Sequence, residues 1–386
     1  MRKSTMRRCL GPLLTFVLTL PLIPTLAGAQ PRLPPALEAR LKQIYVQREY
    51  STKPAGPGHW LERSGRYTQF EPAKDGAGHD LVQYDPATGK RELILSTTQL
   101  KTHDSSKLPT IDATAFSPDT VFALTRDETQ VLLATNAHVS ADNTTVADLW
   151  LFERHSSGFK PIATDVEEPG IWNLSSPDGT RIAFARAHNL YVKDLRSGTE
   201  TQLTTDGVVG TIGNGINDWG SSFIRWSPDG TRIAYTRSDS SHVGLFPLLD
   251  NTKDVYPKPH LIRFPKVGTS LPANRLGVID ATGGATRWIK LPPDPTDTAN
   301  PEGFYLESVE WAGNSNELVV QKLARSKDTY DVILADARTG AANIVHHEAD
   351  SAWVKDSGFA RNPGFEWIAP CRAPARRSCS AAARPG

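Results

Sequence analysis

The sequence predicts an all-β protein, a β-propeller of four-stranded blades preceded by a signal peptide and one short helix. Three observations predict it. The first is a degenerate internal repeat. Ser175-Ser176-Pro177-Asp178-Gly179-Thr180-Arg181-Ile182-Ala183-Phe184 returns almost residue for residue as Trp226-Ser227-Pro228-Asp229-Gly230-Thr231-Arg232-Ile233-Ala234-Tyr235. Phe116-Ser117-Pro118-Asp119 precedes them, and Val309-Glu310-Trp311-Ala312-Gly313-Asn314 is a weaker copy. In each copy a strand ends on an aromatic or apolar residue and a tight turn follows. Pro presets φ, Gly supplies a positive φ, and a β-rich strand resumes. The second is a recurring hairpin. Asp80–Asp85 leads into Ala87-Thr88-Gly89, Asn189–Asp194 into Arg196-Ser197-Gly198, and Tyr330–Asp336 into Arg338-Thr339-Gly340. The third is punctuation: 29 Gly, 29 Pro and 9 Trp in 386 residues mark many short strands rather than a helical bundle.

The N-terminus reads as a processed leader. Arg2, Lys3, Arg7 and Arg8 precede an apolar run from Leu10 to Leu26, interrupted by Pro12, Pro21 and Pro24. Ala27-Gly28-Ala29 is a small-x-small cleavage site, so residues 1–29 are expected to be removed and the mature chain to be periplasmic or secreted. The run is short and proline-broken for a membrane span, and no second span follows, so no membrane association is expected after cleavage. Residues 30–57 read as a linker and a helix, with Leu37, Leu41, Ile44 and Tyr45 on one apolar face.

Residues 58–369 then hold strand, hairpin, strand and turn at a period of roughly 40 to 60 residues, which leaves room for about six or seven blades. Residues 370–386, rich in Arg, Ala, Pro and Cys, show no periodicity. They read as a disordered tail or as the out-of-frame ending of a GC-rich gene. Cys371 and Cys379 lie in this tail and either pair in an oxidising compartment or are incidental.

Composition excludes several functions. A net charge of +1 with 22% charged residues leaves no electrostatic footprint for nucleic acid. No cofactor motif occurs. His346-His347-Glu348 would place its two imidazoles on opposite faces of a strand, so no metal site is expected. The acidic stretch Asp165, Glu167 and Glu168 reads as a solvated turn between blades, with the lining of a propeller mouth as the alternative.

Several segments resemble the N-terminal β-propeller domain of the dipeptidyl peptidase IV-like branch of the prolyl oligopeptidase family. Asn214-Gly215-Ile216-Asn217-Asp218-Trp219 is similar to that family's Asn-Gly-x-x-Asp-Trp stretch and is followed, as there, by Trp226-Ser227-Pro228-Asp229-Gly230. Tyr256-Pro257-Lys258, Phe264-Pro265-Lys266-Val267-Gly268 and Val278-Ile279-Asp280 match further family segments in order and spacing. The resemblance covers about residues 35–369. It implies a propeller of about eight blades that gates peptide substrates and supports a hydrolase domain, with homodimers as a possible assembly. It places Asp218 and Trp219 towards the substrate cavity, as the substrate-binding candidates.

Two departures bear on function. The family's paired glutamates follow the Asp-Trp, whereas here Gly220-Ser221-Ser222 leads directly to Phe223. The family's substrate-holding Arg has no counterpart, since residues 136–152 contain neither Arg nor Lys. The triad of a serine peptidase needs its Ser on a strand-to-helix elbow. No Gly-x-Ser-x-Gly occurs here; Gly268-Thr269-Ser270-Leu271-Pro272 comes nearest and fails at its last position. No catalytic residue is therefore nominated. The expectation is an exported propeller portion of a serine peptidase, truncated before its catalytic domain and inactive alone. The alternatives are a non-catalytic peptide- or protein-binding propeller and a non-functional truncated gene product.

Overall fold

The computed structural model describes residues 33–47, 49, 59–61, 63–74, 78–102, 122–125, 127–140, 144–156, 158–168, 174–216, 223–250, 255–256, 258–294 and 299–354. The Phe116–Asp119 repeat, Cys371, Cys379 and residues 1–29 lie outside these. The chain separates into two compact units, Met1–Ala55 and Gly56–Gly386.

In the first unit, helix α1 spans Pro35–Leu41 and runs on through a π-helical turn at Lys42–Val46. Pro35 opens it at a position where its missing N–H costs nothing. Glu38 and Lys42 pair at 3.0 Å one turn apart. The wider turn rotates Ile44 and Tyr45 away from the ideal stripe, and Leu37, Ile44 and Tyr45 are exposed. Leu41, the fourth residue of the expected apolar face, is half-buried.

The second unit is a series of antiparallel sheets. Blade 1 holds β1 (His59–Trp60), β2 (Tyr67–Pro72), β3 (His79–Tyr84) and β4 (Arg91–Leu95) in that order, followed by the short helix α2 (Thr97–Thr102). Blade 2 holds β5 (Phe122–Leu124), β6 (Gln130–Val139), β7 (Thr145–Glu153) and β8 (Gly158–Glu167). Blade 3 holds β9 (Arg181–Arg186), β10 (Asn189–Asp194) and β11 (Glu200–Gln202), and ahead of them, among the described residues, Ser175 bridges to Ile182. A single pairing of Glu167 with Ala185 joins blades 2 and 3 into one seven-stranded sheet.

Blade 4 is built from β12 (Ile212–Asn214), β13 (Ile224–Trp226), β14 (Arg232–Asp239), β17 (Ala273–Asp280) and β18 (Arg287–Trp288). A separate hairpin, β15 (Leu245–Asp250) with β16 (Lys258–Arg263), is inserted between β14 and β17. Blade 5 holds β19 (Tyr305–Trp311), β20 (Glu317–Leu323), β21 (Thr329–Asp336) and β22 (Ala342–Ala349). Five blades thus stand among the described residues where the repeat period predicts six or seven. The inserted hairpin accounts for part of the difference, because it lengthens blade 4 without adding a blade.

The core lies between sheets, as in propellers. Phe70, Leu81 and Leu95 of blade 1 pack on Val131, Leu133 and Phe152 of blade 2. Leu132 and Leu151 of blade 2 join Phe184 and Leu190 of blade 3 and Tyr235 of blade 4. Val278 of blade 4 packs with Trp311, Leu318 and Val320 of blade 5. Alternation along each strand makes this possible, since both faces of an interior blade must be apolar. Each such fully buried side chain contributes about 2–3 kcal/mol.

The repeat turns have one chemistry. In blade 3, Ser176 Oγ donates to Asp178 at 2.5 Å, Asp178 accepts from Thr180 N and Oγ1, and Arg181 N donates to Ser176 Oγ at 2.9 Å. Ser227, Asp229, Thr231 and Arg232 repeat this in blade 4. Gly179 (φ 70°) and Gly230 (φ 69°) take the left-handed position. Blade 2 carries a third copy that the sequence hides: Thr125, Asp127, Thr129 and Gln130 make the same bonds. There Glu128 occupies the glycine's position at φ 63°.

The turns also bind blade to blade. Arg181 Nη2 donates to Gly230 O at 2.7 Å and lies over Trp226, while Arg232 bonds Ser315 O and lies over Trp311. Trp226 Nε1 donates back to Leu174 O at 2.8 Å, and Trp311 Nε1 to Arg225 O at 3.0 Å. Glu128 accepts from the backbone N–H of Arg63 and of Ser64, both at 3.0 Å, tying blade 2 to blade 1.

Candidate functional site

The first strand of blade 4 is broken in the middle. Asn214 of β12 stands opposite Arg237, and Ile224 of β13 stands opposite Tyr235. On β14 only Thr236 separates those two partners, whereas the first strand runs from Asn214 to Ile224. The strand leaves the ladder at Gly215, whose N–H donates to Thr236 O at 2.7 Å. It rejoins at Phe223, whose N–H donates to Gly215 O at 3.0 Å. The sequence between these two points includes Asp218 and Trp219. Both lie outside the described residues, as do Asn217 and residues 220–222. What the structure describes is the frame on either side of that segment. In a propeller the first strand borders the central channel.

The frame is polar and tightly bonded. Asn214 is fully buried. Its Nδ2 donates to His188 O at 3.2 Å and to Asp206 Oδ1 at 3.0 Å, and its N–H also donates to His188 O. Asp206 Oδ2 accepts from Arg237 Nε at 2.7 Å, and Arg237 Nη1 stands 3.5 Å from Asp239 Oδ2. Burial pushes the Asp206 carboxyl up, but Arg237 and Asn214 outweigh it and hold it below the usual carboxylate range. For Asp239, too, burial is outweighed, by the hydrogen bonds of Ser241 and by Arg237. Beneath Arg237, burial drives the Tyr235 phenol up to about 12 although its hydroxyl is 2.7 Å from Thr286 Oγ1. Arg275, opposite Arg237 on β17, lies over Trp288 and stands 3.7 Å from Glu302. The Asp–Arg–Asp bridge and the asparagine clamp fix the end of β12 rigidly.

The neighbouring crossovers complete the frame. The hairpin between β9 and β10 turns at Ala187 (φ 48°) and His188 (φ 59°). Glu167 Oε2 accepts the His188 N–H at 2.8 Å. The expected solvated acidic turn is thereby corrected. Glu167 is a buried residue of β8, because the backbone of His188 needs its carboxylate. Glu168 accepts from Thr145 N. Gly207 sits so close to the hairpin that a Cβ there would meet His188 O at 2.1 Å.

The inserted hairpin is held at both ends. Arg263 donates to the carbonyls of Gly210, Ser241 and Val243. Arg325 of blade 5 donates to Lys266 O and Thr269 O. The returning segment is the one that came nearest to a nucleophile elbow. Here Leu271 is buried, and its carbonyl accepts from Asn300 Nδ2 at 2.6 Å and stands 3.0 Å from His242 Nε2. It is a brace between crossovers.

His346 and His347 stand opposite Val332 and Asp331 on β21. His347 Nδ1 is 2.7 Å from Asp331, which is 3.4 Å from the buried Lys322 Nζ. Lys322 donates to the carbonyls of Pro292 and Pro293. This is a structural pin of the crossover between blades 4 and 5. Among the described residues no group of three metal-ligating side chains comes together.

Neither Asp206 nor Arg237 is visible as a site residue in the sequence. Asp206 and Arg237 are 31 residues apart and meet only when blade 3 closes on blade 4. The one local signal was the glycine of Asn214-Gly215, which marks where the strand leaves its ladder.

Comparison with known proteins bears on the family and the fold. Residues 125–366 match the model of the dipeptidyl peptidase IV (DPP IV) N-terminal region. The chain is 26% identical over 260 residues to dipeptidyl aminopeptidase B of Saccharomyces cerevisiae, a match covering 64% of this chain and 30% of that protein. It is 28% identical over 243 residues to a probable dipeptidyl-aminopeptidase B of Chaetomium globosum, covering 56% of this chain and 25% of the relative. The fold is similar to that of Porphyromonas gingivalis dipeptidyl peptidase 4, with TM-score 0.64 and 20% identity, over 81% of this chain and 42% of that one. The chain therefore spans well under half the length of these relatives.

Proposed function

Because the chain belongs to the dipeptidyl peptidase IV N-terminal region family, we propose that it is the propeller portion of an exported serine peptidase. In this reading it admits peptides to, and supports, a hydrolase domain not encoded in these 386 residues. The observation that carries the proposal is the break in the first strand of blade 4. Asp218 and Trp219 fall, in sequence, between its two ends, the first of which is fixed by Asn214, Asp206 and Arg237. A carboxylate and an indole in that segment suit the free ammonium and adjoining side chain of a peptide. The test is titration of the indole fluorescence with a free tetrapeptide and with its N-acetylated form. Saturable binding of the free form, lost in Asp218→Ala, is expected. Equal response to both forms rejects the role of Asp218. The chain alone is expected to leave peptide nitroanilides intact, and hydrolysis blocked by a serine-directed phosphonate would overturn that.

Export rests on the leader. N-terminal sequencing of the secreted or periplasmic protein is expected to begin at Gln30. Pairing of two copies is the assembly we propose, through the inserted hairpin. Leu245, Leu249 and Leu261 share one face of it, all exposed, and Arg263 and Arg325 hold the hairpin in place. Leu249→Asp with Leu261→Asp is expected to convert a sedimenting dimer to a monomer.

A further inference from the structure

The five blades share one register at the end of their first strands. Trp60 stands opposite Tyr67, Leu124 opposite Val131, Ser175 opposite Ile182, Trp226 opposite Ile233 and Trp311 opposite Leu318. The residue just before each partner is then equivalent too, and reads Arg66, Gln130, Arg181, Arg232 and Glu317 along the chain. Two boundaries show what surrounds an indole at this place. Trp226 and Trp311 are only 8% and 7% exposed. Each is covered by the equivalent arginine of the preceding blade, Arg181 at 5.1 Å from the Trp226 centroid and Arg232 at 5.7 Å from that of Trp311. Each indole N–H donates to a carbonyl of that same preceding blade, Leu174 O or Arg225 O. Where the following blade has no indole the arginine turns elsewhere: Arg66, ahead of Leu124, pairs with Glu92 of its own blade at 3.4 Å. Trp60 is the third indole of the series, and it is 68% exposed.

The rest of that face is built the same way. Val131, Ile182, Ile233 and Leu318 are fully buried, and each belongs to a core shared with the blade before its own. Tyr67, at their place in blade 1, is half-buried. It stacks on Tyr84 with centroids 5.4 Å apart, and Leu93, one row further on the same face, is exposed. We propose that this face of blade 1 is the seat of a further propeller blade whose second strand opens on an arginine, the guanidinium closing over Trp60 and a first-strand carbonyl taking the indole N–H. Blade 5 is not that blade. Its equivalent residue is Glu317, whose carboxylate accepts from Asn314 Nδ2 at 3.0 Å. The face of an indole is the negative side of its quadrupole, so it attracts a guanidinium and repels a carboxylate. Blade 5 therefore fits the seat neither within one chain nor from copy to copy, and the charge at one position decides which sheet does. The inference does not depend on what the propeller binds.

The experiment gives blade 5 that charge, on the full chain. Leu249→Asp with Leu261→Asp is the background, so that pairing through the inserted hairpin does not contribute. In this background Glu317→Arg is expected to associate in sedimentation velocity, with a mass that rises with concentration, and adding Trp60→Ala is expected to abolish the association. Glu317→Lys should associate about tenfold more weakly, because an ammonium cannot stack and bond at once. Trp60→Ala alone should leave the urea midpoint unchanged, whereas Trp226→Ala lowers it, so that lost association is not lost folding. A Glu317→Arg chain that associates no more than its background overturns the proposal, as does association that survives Trp60→Ala. Equal association of Glu317→Lys overturns the guanidinium. Association of the background chain itself that Trp60→Ala abolishes would make the face an interface between unaltered copies, and overturns the further blade.

Discussion

The guanidinium of Arg181 in blade 3 lies over the indole of Trp226 in blade 4, 5.1 Å from its centroid, and donates to Gly230 O beside it at 2.7 Å. Arg232 and Trp311 repeat the relationship one blade later. The arginine that ends each repeat is thus spent on the next repeat. Arg181→Ala is expected to cost about 2 kcal/mol in urea unfolding, since a charge-assisted bond and a cation–π contact are lost together. Arg181→Lys should recover less than half, because an ammonium cannot stack and bond at once.

Glu128 holds a left-handed conformation to bring its carboxylate to two backbone N–H groups of blade 1. Glu128→Ala is expected to be more destabilising than Glu128→Gly, by about 1 kcal/mol. Alanine keeps the conformational cost and loses the bonds; glycine loses only the bonds. Paired denaturation curves decide it, and the reverse order would show that the left-handed conformation at this position carries no cost.

Burial pushes the Asp229 carboxyl up, yet the bonds from Ser227, Thr231 and Ser315 hold it far below the ordinary range; Asp178 is lowered by Ser176 and Thr180 in the same way. A depressed folded value gives stability that is present above the unfolded value near 3.9 and is lost as pH falls towards the folded one. Unfolding measured below about pH 4 should therefore steepen with acid. Asp229→Asn should flatten that dependence while lowering stability at neutral pH.

Tyr235 is displaced the other way, up to about 12 by burial. Its neutral form is the one the fold favours, so this contribution is present below the unfolded value near 10 and is lost as pH rises towards 12. Tyr235→Phe should shift the midpoint of alkaline unfolding upward, read by circular dichroism.

Gly207→Ala would drive a methyl into His188 O. The expected cost is about 2–4 kcal/mol. Exchange protection should fall first at residues 187–190 and 212–214, which share that carbonyl.

Much of the blade series was legible because its turns are made by side chains close in sequence. Ser176, Asp178 and Thr180 bond one another within five residues and must recur wherever the turn recurs. The copy at Thr125–Gln130 was missed because Arg126 and Glu128 stand where Pro and Gly stand elsewhere. The bonds come from Thr125, Asp127 and Thr129, which a pattern anchored on Pro and Gly passes over. The inserted hairpin was read as part of the blade series, since alternation alone cannot tell a blade strand from an added one. The site's frame was not legible. Asp206, Asn214 and Arg237 meet across a blade boundary, and nothing local to each announces the others. The loop residues nominated from the sequence, Asp218 and Trp219, lie outside the described residues.

The broken strand of blade 4 separates what the sheet requires from what the loop carries. Gly215 and Phe223 close the gap with their own backbone bonds, and Thr236 serves both ends of it. Register on either side is set by Asn214 with Arg237 and by Ile224 with Tyr235, none of which lies in the loop. The described register of blade 4 is therefore held from both sides of residues 217–222 by pairs that segment does not supply. The blade is in that sense a socket: its described walls are set by residues that stand outside what they flank.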